Sequence, residues 1–308
     1  MIKLMAILVS GLMISGCLKP VNLGNRTFVG ATRIGEVLQV DINNDQIRFQ
    51  LEGNTSSSAI IGTLRAMPMH ENHLYTLKEK PDLRIAMSHD GLIIYGAKGD
   101  YAKFGVGLYS FRKSYQIVDI AGIYNFVVQY CPENSNKFSY GTFEIGADYS
   151  WRMWKLQDGR QAKQKPTASG NLVDNGPGVL QAFLDNKKLY ANLALSQNSD
   201  DIMVINVVAK NGLALGVKKN IIIPGSVNGD YSVLSSNGKS ERIAKVQDEV
   251  ATRGKKTFAL NYNEPWEGFI KDSRGEFLSI VSSKGTWFGL NIGAKSGSQF
   301  IFAGVKHK

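Results

Sequence analysis

The chain has 308 residues and carries 36 Lys and Arg against 26 Asp and Glu, a formal net charge of +10. With 43% hydrophobic and 20% charged residues it has the material for a core, which excludes a wholly disordered chain, and no apolar run reaches the length of a spanning helix. Glycine is abundant at 32 residues, proline scarce at 8, and 12 Tyr and 14 Phe complete a balance that suits many short strands and turns.

The first element is a leader. Met1-Ile2-Lys3 supplies one positive charge, Leu4 to Ile14 an apolar stretch, and Ser15-Gly16 small residues before Cys17, the layout of a secretory signal. Ile14-Ser15-Gly16-Cys17 resembles the lipobox of bacterial lipoproteins. The resemblance implies that the Cys17 thiol receives a diacylglycerol, that cleavage follows Gly16, and that the new amino group is acylated. One acyl chain at about 0.8 kcal/mol per buried methylene holds a protein only marginally at a membrane, whereas two or three hold it stably. Leu18 stands where the family's sorting rule places an Asp for retention in the inner membrane. In a two-membrane cell this implies the outer membrane; in a one-membrane cell, the outer face of the plasma membrane. Residues 1–16 are then the signal peptide and 17–24 a tether.

Beyond the tether, period-two alternation is broken repeatedly by Asn, Asp and Gly. Gln39–Ile42 and Gln46–Leu51 flank Asn43-Asn44-Asp45 as a hairpin. The same form recurs at Gly141–Ile145 with Tyr149–Trp154, at Leu180–Leu184 with Leu189–Leu195, and at Ile202–Val208 with Leu213–Val217 across Asn211-Gly212. Glu267–Ile270, Glu276–Val281 and Thr286–Ile292 read as a meander, and Gln299–Lys306 closes the chain. The spacing predicts an all-β fold of antiparallel hairpins and meanders in two modules: residues 25–118, and a barrel-like C-terminal domain over 119–308. Gln157–Gly178 is polar and long enough for a functional loop, a disordered loop or a linker. Ser240–Arg253, with Ile243, Val246 and Val250 at helical spacing, fits either a short helix or a basic loop. Gly122-Ile123-Tyr124 and Gly229-Asp230-Tyr231 share an opening too short to establish a repeat.

The positive charge attracts polyanions, so an anionic envelope or host ligand is a candidate partner, besides the membrane held by the acyl chains. Nucleic acid does not suit an exported lipoprotein. Basic residues cluster at Arg152, Lys155, Arg160, Lys163 and Lys165, opposed only by Asp158. A second group runs from Lys239 to Lys256. With Cys17 committed to the anchor, Cys131 is a leftover thiol, which excludes an internal disulfide framework and reads as a small buried side chain.

Catalytic chemistry finds little support. No Gly-x-Ser-x-Gly elbow is present. Ser110 and Lys113 have Ser-x-x-Lys spacing, with Lys295-Ser296-Gly297 later, but they lie in an alternating stretch that sends successive side chains to opposite faces. Met67, Met69, His70 and His73, with Met87 and His89 beyond, make a donor set that copper would accept. Their place between strands around Ile61 and Leu83 favours a polar hairpin loop, and no metal or other cofactor is expected. Glu144, Asp148, Glu264 and Glu267 fit surface faces or turns, while Trp151, Trp154, Trp266 and Trp287 fit core packing better than sugar stacking. The leading expectation is a non-catalytic binding or assembly role at the cell envelope. The alternatives are a carrier enclosing an apolar ligand in the C-terminal barrel and an envelope hydrolase.

Overall fold

The computed structural model describes residues 23–52, 57–67, 74–88, 91–97, 100–110, 115–131, 137–159, 165–176, 178–196, 201–237, 242–253, 255–293 and 299–307. The described chain is built of antiparallel strands, as the alternation predicts, and they close into three eight-stranded barrels. Barrel 1 consists of β1 (Asn25–Thr32), β2 (Val37–Asn43), β3 (Gln46–Glu52), β4 (Ser57–Ala66), β5 (Leu74–Leu77), β6 (Leu83–Met87), β7 (Leu92–Ala97) and β8 (Asp100–Tyr109). Barrel 2 consists of β9 (Gly122–Tyr130), β10 (Lys137–Ile145), β11 (Ser150–Lys155), β12 (Ala168–Asp174), β13 (Leu180–Leu184), β14 (Leu189–Leu195), β15 (Ile202–Val207) and β16 (Gly212–Lys218). Barrel 3 consists of β17 (Gly229–Ser235), β18 (Arg242–Gln247), β19 (Val250–Arg253), β20 (Lys256–Tyr262), β21 (Phe269–Asp272), β22 (Phe277–Val281), β23 (Trp287–Asn291) and β24 (Ile301–Lys306).

The boundary at 118/119 falls in a single helical turn, α1 (Ile117–Ile120), between barrels 1 and 2. Residues 119–308, expected as one barrel-like domain, close twice. β16 returns to β9 with Gly212 opposite Tyr130, completing a barrel before Lys219, and β24 returns to β17 with Lys306 opposite Tyr231. Each closure removes the exposed edges that an open meander would present.

Burial explains two kinds of strand. β2 and β3 alternate strictly, with Leu38, Val40, Ile42, Ile47 and Phe49 inside barrel 1 and the intervening residues toward solvent. β7 and β15 are buried along their whole length. In β15, Met203, Ile205 and Val207 fill barrel 2, while Ile202 and Val204 join an apolar core shared by all three barrels. Leu92 and Ile94 of β7 and Leu278, Ile280, Phe288 and Leu290 of barrel 3 meet them there. A strand buried on both faces reads as a continuous apolar run.

A polar junction also ties the barrels together. With the Gln129 amide oxygen facing Arg33, the contacts to Nε and Nη2 are 2.7 and 3.1 Å, and the amide nitrogen donates to Ser236 Oγ at 2.9 Å. Arg33 follows β1, Gln129 lies on β9 and Ser236 follows β17, so one side-chain chain links the three barrels. Cys131 is half-buried beside Arg33, and burial pushes its thiol up despite that cation. It is less enclosed than the sequence suggested because it lies just past the end of β9.

Two further expectations change. Ser240–Arg253 is neither helix nor loop over its described part: β18 and β19 pair as a hairpin around Asp248-Glu249, with Asp248 at φ 51°. The turn pairs Gln247 with Val250 and Val246 with Ala251, so Val246 faces the barrel interior while Val250 is exposed. Gln157–Gly178 contains a true strand, β12, whose weak apolar signal has a packing cause. Gly170 sits opposite Trp151, and a Cβ there would lie 1.8 Å from the Phe183 carbonyl oxygen.

The Gly-x-Tyr pair proves to occupy one position in barrels 2 and 3. Gly122 and Gly229 open the first strand at φ 143° and 153°. Tyr124 donates to the Ile120 carbonyl at 2.8 Å and Tyr231 to the Val227 carbonyl at 2.5 Å, each four residues back. Each tyrosine faces a lysine on the closing strand, Lys218 or Lys306.

Candidate functional site

The three barrels differ in how their interiors are filled. In barrel 2, Trp151 stacks between Phe143, at 5.5 Å and 8°, and Tyr190, at 5.2 Å, and donates its Nε1–H to the Phe183 carbonyl. In barrel 1, Phe49 and Tyr95 meet at 5.0 Å inside a shell of Leu and Ile. In barrel 3 the rings go to the two ends. Tyr231 and Trp287 pair edge-to-face at 5.4 Å near the start of β17 and β23. Phe277 meets Phe258, Phe300 and Phe302 at the end where β22 begins.

Between those clusters lies a cavity of about 90 Å³. By the same measure one water needs about 10–15 Å³, so the space suits a ring or a short alkyl segment rather than a single solvent molecule. Val233, Val246, Leu260 and Ile270 line it, with the small Ala244 and Ala251 on the β18–β19 wall. The short side chains on that wall help leave this space open.

Thr252, Ser279 and Asp272 add polar side chains to the lining of this apolar space. Asp272 ends β21 and is only 3% exposed. Its Oδ1 accepts the Phe277 N–H at 2.7 Å, which fixes the turn into β22. Its Oδ2 is buried without a hydrogen-bond partner among the described residues. Leaving a buried acceptor unsatisfied costs about 1–3 kcal/mol, so such an atom in a native fold calls for an explanation. A ligand that places a donor against Oδ2 and an apolar body against the aliphatic wall would supply one.

Several sequence candidates take structural roles. Trp151, Trp154 and Trp287 are buried, in keeping with core packing, and Trp287 also lines the cavity. Trp266 donates to Asn125 Oδ1 at 2.9 Å, across the junction of barrels 2 and 3. Glu144 pairs with Arg152 at 3.0 Å, Asp148 accepts the Ser150 N–H at 3.0 Å, and Glu264 accepts from Asn261 at 3.4 Å. Asp158 pairs with Lys219, with Nζ to Oδ2 at 2.5 Å and both side chains buried, and Glu267 lies 3.8 Å from the same amine. Met67 packs against the shared core. Cys17, Met69, His70, His73, His89, Lys113 and Lys295 lie outside the described residues.

In the sequence Asp272 reads only as the first residue of a turn. Nothing in its neighbourhood marks it as facing a cavity, because the walls come from strands spread over residues 229–306.

No protein-family model matches the chain, and no curated protein matches it. Among solved structures, a Nostoc punctiforme protein of unknown function from the DUF3598 family aligns over 93% of this chain and 96% of its own, at 12% identity and a TM-score of 0.22. The DNA polymerase III β chain of Streptococcus pneumoniae aligns over 92% and 91%, at 8% identity and a TM-score of 0.14. The corresponding subunit of Pseudomonas aeruginosa aligns over 94% and 97%, at 8% identity and a TM-score of 0.12. Likenesses this weak assign no function to the chain.

Proposed function

We propose that this chain is a lipid-anchored protein of the bacterial cell envelope, at the outer membrane in a two-membrane cell, with a non-catalytic binding role. Its third barrel is the binding chamber, and the ligand is a small apolar molecule carrying one hydrogen-bond donor. The anchor rests on the Ile14-Ser15-Gly16-Cys17 motif and the leader before it. The binding role rests on one observation, an apolar cavity lined by Asp272, whose buried Oδ2 has no hydrogen-bond partner among the described residues. Of the two expected alternatives, the carrier is the one this geometry favours.

The reading makes a specificity prediction. A short alcohol should bind the purified chain about tenfold or more tighter than a methyl ketone of matched length, because only the alcohol donates to Oδ2. Asp272→Asn keeps an acceptor for the Phe277 N–H and turns an NH₂ into the cavity, so it should reverse that preference. Isothermal titration of both proteins with both ligands reads the four affinities. Equal binding of the alcohol and the ketone by the wild type, or an unchanged preference in D272N, would remove Asp272 from ligand recognition.

A further inference from the structure

We propose that one end of barrel 2 holds an oxyanion of the phosphate class between Lys155 and Lys210. This site is separate from the barrel 3 cavity and does not depend on it. Tyr130 is the last residue of β9 and Lys155 the last of β11, and both reach the same end of the barrel. A 3-10 turn, Val208–Lys210, leads into β16, where Gly212 stands opposite Tyr130. The two ammonium groups therefore converge on one ring, with Lys155 Nζ 4.4 Å and Lys210 Nζ 5.6 Å from the centre of Tyr130.

Among the described residues neither lysine forms an ion pair, whereas the nearby acids on the same barrel are committed, Asp158 to Lys219 and Glu144 to Arg152. Burial and the neighbouring Lys210 hold the Lys155 amine down to about 8. The aromatic face offsets little of this, since a cation–π contact contributes about 0.5–2 kcal/mol. Nor do the phenols provide an anion: burial pushes Tyr130 upward and Tyr190 up to about 12, so both stay neutral, and the Tyr190 hydroxyl donates to Met153 Sδ at 3.9 Å. Two ammonium groups beside one ring present several N–H donors to the same space, and an oxyanion with three or four acceptor oxygens uses them together.

Free phosphate and a phosphate-bearing lipid headgroup offer the same chemistry. The experiment is a titration of the full chain in detergent, with ¹³C-labelled lysine observed at Cε, using inorganic phosphate in one arm and a short-chain phosphatidic acid in the other. Two lysine resonances should move together and saturate, chloride at matched ionic strength should leave them in place, and Lys155→Met or Lys210→Met should weaken binding by about tenfold or more. Both variants replace a cation with an apolar chain of similar length and relieve repulsion, so they should fold, as far-ultraviolet circular dichroism will check. Saturation with inorganic phosphate marks a site for the free anion, and saturation with phosphatidic acid alone marks a headgroup site. The proposal is overturned if neither ligand saturates, if chloride produces the same shifts, or if the methionine variants bind as the wild type does.

Discussion

Lys219→Met should destabilise the protein by about 3–5 kcal/mol, the usual cost of removing one partner from a buried ion pair. Lys219 is 3% and Asp158 6% exposed at the side chain, with 2.5 Å between the charges. Lys219 lies directly after β16, and its N–H donates to the Ile123 carbonyl, so the amine is held where barrel 2 ends and the connection to barrel 3 begins. Without it the Asp158 carboxylate remains in a dry site. Glu267 offers no rescue, being an acid itself and half exposed. The double variant Lys219→Met/Asp158→Leu should recover most of the loss, because replacing both charges by apolar groups is often neutral. Urea unfolding of the three proteins measures this. A single variant within about 0.5 kcal/mol of wild type would mean that water reaches the pair.

Trp151→Ala should cost a similar 3–5 kcal/mol, roughly, by leaving a void in the centre of barrel 2. The indole is 1% exposed, stacked on two rings and hydrogen-bonded to Phe183. Gly170 opposite cannot fill the space left behind. Trp287→Ala should cost less, since its neighbours already border a cavity. Thermal unfolding of the two variants in parallel ranks them. Equal losses would contradict the contrast between a filled second barrel and a hollow third.

The sequence carried the hairpins well where one face meets solvent. β2 and β3 show their register through strict alternation and the Asn44-Asp45 turn, with Asn44 at φ 58°. It also placed β15 with β16 and β23 beside β22, but not the second buried face of these strands, which other barrels cover, because the identity of that partner is not a local property. Closure was legible only in outline, as a barrel-like C-terminal domain, and its pairs were not: Phe28 meets Tyr109 and Tyr231 meets Lys306 across the whole length of each barrel. β12 was hidden by Gly170, whose small size is required by the Phe183 backbone on the neighbouring strand β13. The candidate site was the least visible part. Asp272 has the sequence context of an ordinary turn residue, and the cavity exists because the rings of barrel 3 gather at its ends. The leader motif differs in kind, since its residues act as a linear signal before any folding.

If barrel 3 is a binding chamber, the protein taken from its own membrane should still carry what the chamber holds. Native mass spectrometry of the full chain, released in mild detergent, reads this without any choice of ligand. Part of the wild-type population should show the extra mass of one small non-covalent molecule, lost on gentle activation. Ala251→Phe, which grows a ring into the cavity, should abolish that surplus. Wild-type and A251F spectra that both lack a bound molecule would mean that the chamber stands empty in the cell, against the binding role proposed for it.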